Sequence, residues 1–193
     1  MSGSVARFYE GWRKHNSRVV DAIRALSDDQ LKLRGTPTYW PIWAIAGHTA
    51  GARVYWLCGV FKESGAETTP FTDPLSGYGW EDDESTPRGS AELVGALESS
   101  WRIVERCLNT WTTAMLGDEF TREVNGKTQI HTRQSVLMRL LTHDAFHTGE
   151  ISEILGIHRL PEIDLWRPSP PNAPDTPPPA ALGARPNQSF GGN

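Results

Sequence analysis

The stretch RLLTHDAFHTGEISEILGIHRLPEIDLW, residues 139–166, decides how the rest of the chain is read. Within it Leu140, His143, His147, Ile151 and Ile154 are spaced 3, 4, 4 and 3, the period of one face of an α-helix. The apolar members of that face need a core to bury against. The spacing therefore predicts an amphipathic helix from about Thr132 to Leu155, with Gly156 as its C′ stop. Two imidazoles ride on the inward stripe, one turn apart.

Three more helices are predicted upstream. Val5, Phe8, Trp12, Val19 and Leu26 make one stripe. After TPTYWP, Pro41 suits a first helical turn, and Ile42, Ile45, Ala52 and Tyr55 carry the pattern to about Phe61. A third helix opens with Ser90 as N-cap and keeps a near-heptad stripe from Val94 through Leu97, Trp101, Val104, Leu108 and Trp111 to Met115. Four such helices predict an all-α four-helix bundle. Residues 62–89, rich in Gly, Pro, Ser and acids (Glu81, Asp82, Asp83, Glu84), are long enough for a crossover that sets the second and third helices parallel. Between the third and fourth helices, EFTREVNGKTQIHT alternates around Asn125-Gly126, the mark of a small β-hairpin with a type I′ turn.

Composition narrows the class. A chain of 193 residues suffices for one domain, expected over 1–166. The balance of 19 basic and 23 acidic residues gives a net charge of −4, which argues against a nucleic-acid partner. No apolar run reaches the roughly 18 residues of a membrane span, and the N-terminus lacks a secretory core, so a cytoplasmic protein is expected. Two cysteines, Cys58 and Cys107, sit in apolar helical stretches and read as buried free thiols. Eight of the fourteen prolines fall in 167–193. That excludes helix there and leaves either a solvated extension or an arm laid on the bundle or on a second copy.

The chemistry lies in the histidines. His48 falls on the stripe Ile45, His48, Ala52, Tyr55, beside the small residues Gly47 and Gly51. With His143 and His147 it would bring three imidazoles into one interior, where unpaired burial costs roughly 1–3 kcal/mol each. One divalent cation satisfies all three; the alternative is three core histidines, each bonded to a carbonyl. His15 reads as a core histidine or a further ligand. His131, twelve residues before His143, and His158, beyond Gly156, lie too far along the chain. Glu150, one turn after His147, is the candidate catalytic acid–base group, or a solvated acid at the margin. Trp40, Trp43 and Trp80 are candidate pocket walls or simple packing; Arg53, Arg133 and Arg139 are candidate anion grips or solvated surface.

The segment LTHDAFHTGE, the following LPEIDLW and the Gly47-His48 pair resemble the DinB/YfiT-like superfamily across most of residues 5–166. The resemblance implies an up-down-down-up bundle in which His48, His143 and His147 ligate zinc, nickel or iron. It also implies a homodimer and, in the relatives that are enzymes, a small-molecule substrate attacked by a low-molecular-weight thiol. Three neutral ligands leave a coordination position open, for a thiol or for water that would hydrolyse an ester or amide. Cys58, about 15 Å along the helix from His48, does not supply that thiol. A protein that holds the ion without turnover is the competing class.

Overall fold

A computed structural model describes residues 3–75 and 83–166, and it is mostly helical. Its helices are α1 (Glu10–Arg24), α2 (Asp28–Leu31), α3 (Ile42–Val54), α4 (Ser90–Thr110) and α5 (Arg133–Ile157). One antiparallel hairpin, β1 (Glu119–Val124) and β2 (Lys127–Thr132), precedes α5. The central element is α3, in which every residue is buried except His48. It packs on α4 and on α5, while α1 packs on α4. Trp12, Val19, Val20 and Ile23 of α1, Leu93, Leu97 and Val104 of α4, and Val136, Leu140 and Ile151 of α5 meet in one core.

The ends of the helices differ from expectation in ways that have local causes. The first stripe is broken: Val5–Phe8 form a separate 3₁₀ turn, Phe8 is exposed, and α1 begins only at Glu10. Val5 is held instead by its N–H, which donates to the Trp111 carbonyl at 2.9 Å. Ser90 is the first residue of α4 rather than its N-cap; Gly89 takes that place, and the Ser90 hydroxyl donates to the Ile23 carbonyl. At its far end α4 stops at Thr110, because Trp111 turns extended to bury its indole, and Met115 belongs to a following 3₁₀ turn.

The continuation of α3 is not α-helical. Tyr55–Val60 form a π turn, in which the Phe61 N–H reaches back five residues to the Trp56 carbonyl. The chain leaves it through Lys62 at φ 61°. Gly156 lies inside α5, and Arg159 at φ 59° makes the left-handed stop. Leu160 and Arg159 donate to the Leu155 and Gly156 carbonyls, a full Schellman pattern. A Cβ at Gly156 would meet the Glu162 carboxylate at 3.2 Å, so glycine there permits close approach of the following loop.

The hairpin is as the sequence predicts. Asn125 (φ 50°) and Gly126 (φ 71°) make the tight turn that joins Val124 to Lys127. Strand β2 runs straight into α5, where Thr132 and Ser135 form a capping box. The proline-rich segment 167–193 and Trp80, Glu81 and Asp82 lie outside the described residues. No described helix is long and apolar enough to cross a membrane.

Candidate metal centre

Two helices supply the histidines. His48 is the single break in the burial of α3, and α5 places His143 and His147 against it from successive turns. Their ring nitrogens converge. His143 Nε2 lies 2.9 Å from His48 Nε2 and 3.2 Å from His147 Nε2, and the ligating atoms of all three fall within 4.8 Å of one another. A tetrahedral zinc with nitrogen ligands at 2.0–2.1 Å holds those nitrogens about 3.3 Å apart. The donor set therefore fits a divalent cation. Without one, three Nε2 atoms share a space in which hydrogen bonds can satisfy only some of them.

The protonation states of His143 and His147 agree with ligation, which needs neutral imidazole. Burial, reinforced by His147 and His48 and then by Arg53 and Arg139, pushes His143 down to about 3. His147 is also lowered, by burial first, against the opposing pull of its bond to Glu150. His147 Nδ1 is 2.6 Å from Glu150 Oε2, with 12% of the imidazole and 26% of the carboxylate exposed. That carboxylate fixes the tautomer that turns His147 Nε2 towards its neighbours. His143 Nδ1, by contrast, is buried without a hydrogen-bond partner. Trp40 stands edge-on to His48 at 5.1 Å, and Phe146 to His147 at 5.1 Å, as aromatic walls of the cluster.

The other candidates are placed elsewhere. Trp43 is core. His15 lies outside the triad, its Nε2 buried and unpartnered, its pKa lowered mainly by burial. His158 Nε2 is 3.0 Å from the Arg34 carbonyl. His131 is edge-on to Trp56. Both cysteines are buried, and that burial raises Cys58 to about 11 and Cys107 to about 12, so neither is a thiolate at neutral pH. Arg53 is neither surface nor free: it is 1% exposed and paired with Asp144 at 2.7 Å. Arg133 is likewise enclosed, over the Trp111 and Phe120 rings and paired with Asp118. Arg139 is exposed and lies over Trp56.

Sequence reasoning missed Asp144. It is buried next to His143 and accepts from the Trp12 indole N–H at 2.7 Å as well as from Arg53. Arg53 also donates to Asn16 Oδ1, so α1, α3 and α5 are joined under the triad. The available signal was an acid in LTHDAFH on the turn that carries both ligands. A groove of about 430 Å³ between the N-terminal segment and α4 includes none of these groups; Arg13 and Glu105 pair across it.

A mostly helical fold with a two-stranded hairpin and a histidine triad able to hold a metal ion defines the class. Within that class the chain belongs to the DinB superfamily, whose family model matches residues 12–151. The fold is similar to the crystal structure of a DinB-like protein from Bacillus cereus ATCC 10987, with a TM-score of 0.61 at 16% identity, over 84% of this chain and 97% of that one. No curated protein matches the chain.

Proposed function

We propose that the protein is a metal-dependent enzyme that transfers a low-molecular-weight thiol to an electrophilic small molecule, on an up-down-down-up four-helix bundle. The observation that carries this reading is the convergence of three Nε2 atoms from α3 and α5. His48, His143 and His147 would hold zinc, nickel or iron. The ion, when bound, lowers the pKa of a thiol so that it reacts as thiolate. Glu150, bonded to His147 Nδ1, would orient that ligand, and the reading gives it the further role of accepting the thiol proton. In the transfer, sulfur forms a bond to the electrophilic carbon and the leaving group departs with its electron pair. The attacking thiol is external, since burial keeps both cysteines of the chain protonated.

The test is turnover of a small thiol with a model alkylating electrophile by the zinc-loaded full chain, with and without chelator. Chelator-sensitive consumption of both reactants supports the reading. Bound metal with no chelator-sensitive reaction would show a binding protein instead. Turnover of an ester without thiol would show a hydrolase.

A further inference from the structure

Four residues near the triad have no part in the proposed reaction. Trp56, in the π turn, is 7% exposed and carries two guanidiniums: Arg122 Cζ is 4.4 Å from a ring centre and Arg139 Cζ 4.8 Å. The hydrogen bonds of Arg122 go to neutral groups, Gln129 Oε1 at 3.0 Å and the Tyr55 hydroxyl at 2.8 Å. Among the described residues neither guanidinium is paired with a carboxylate, whereas Arg53 and Arg133 both are. His131 stands edge-on to the same indole at 4.8 Å, and its Nε2 is buried without a hydrogen-bond partner. Burial and the charges of Arg122 and Arg139 all lower its pKa, so it adds no third charge at pH 7.

This group adjoins the triad. Arg139 precedes His143 by four residues on α5, one turn or about 6 Å along the axis, and its charge helps to keep His143 neutral. Tyr55 follows His48 by seven residues at the end of α3. An indole face holds a guanidinium flat and in place while leaving its charge unneutralised. The planar donor fork of arginine matches the paired oxygens of an oxyanion such as a carboxylate, with two parallel N–H donors.

We propose that Arg122 and Arg139, held on Trp56, form an anion subsite beside the histidine triad that takes the carboxylate of the substrate or cosubstrate. The assignment deepens the thiol-transfer reading and rests on it for the identity of the molecule, though not for the anion.

Calorimetric titration of the metal-free full chain with succinate isolates the arginines from any ion. Binding that weakens at least tenfold in R122Q/R139Q supports the subsite. No binding, or equal binding by wild type and variant, overturns it. Arg139→Gln alone makes the same comparison should the double variant not fold, because that exposed side chain has no hydrogen bond to lose among the described residues. A parallel titration of zinc-loaded protein with 2-mercaptoethanol separates the two readings: failure of the neutral thiol to bind rejects thiol transfer and leaves a succinate-binding subsite standing. With 3-mercaptopropionate, the expected result is about tenfold tighter binding than the neutral thiol, levelled in R122Q/R139Q.

Discussion

At the scale of single residues, His147 is the most exposed to test because it is held from both sides. His147→Ala removes one ligand and the anchor of Glu150, so elemental analysis of gently purified protein should fall from about one ion per chain to nearly none. Glu150→Gln keeps the shape but accepts the Nδ1 proton less strongly. Competition with a chromophoric chelator should show metal affinity weaker by roughly 10- to 100-fold. His143 gives a pH dependence with a definite sign. An unfolded imidazole takes its proton near pH 6.5, whereas His143 in the fold resists until about 3. Below 6.5 the unfolded state binds the extra proton, so stability present above 6.5 is lost as pH falls towards 3. Melting of the metal-free chain should show this decline beginning near pH 6.5, and His143→Gln should make it shallower, leaving the part owed to His147, His15 and His131; an unchanged slope in that variant would refute the account.

At the scale of elements, the register of α5 depends on groups that are not ligands. Asp144→Asn leaves Arg53 buried beside a neutral partner. Breaking such a pair costs about 3–5 kcal/mol, to be read from urea unfolding. Thr132→Ala removes half of the capping box and should cost about 1 kcal/mol in the same assay. These elements also show what a sequence can reveal. The turn at Asn125-Gly126 and the stripe of α5 are legible because each is a local pattern whose period is fixed by backbone geometry. The three histidines are legible because imidazoles on an apolar stripe must find a partner. Arg53 and Asp144 stand 91 residues apart, and nothing local to either announces the other. The π turn is hidden for another reason: YWLCGV is apolar throughout, so it has no polar face to betray a change of helical pitch. Arg159 takes the left-handed position that the sequence pattern assigns to Gly156, because Schellman bonds and the fit of Glu162 outweigh the glycine preference.

At the scale of the molecule, the triad joins α3 to α5, and Arg53, Asp144, Asn16 and Trp12 join those two to α1. An ion gripped between α3 and α5 stabilises the whole chain by mass action, about 2.7 kcal/mol at a hundredfold excess over Kd. Zinc should therefore raise the melting temperature of wild type, a chelator should reverse it, and His48→Ala should show no response; an equal rise in that variant would place the ion elsewhere. The π turn has a separate consequence. It lies wholly downstream of His48, so a one-residue deletion within Tyr55–Val60, which lets the turn relax to α-helix, would change the side chains set there and leave the imidazole in place. Descendants of this chain can thus revise the surface at Trp56 through one short hinge of sequence, and inherit the three converging imidazoles intact.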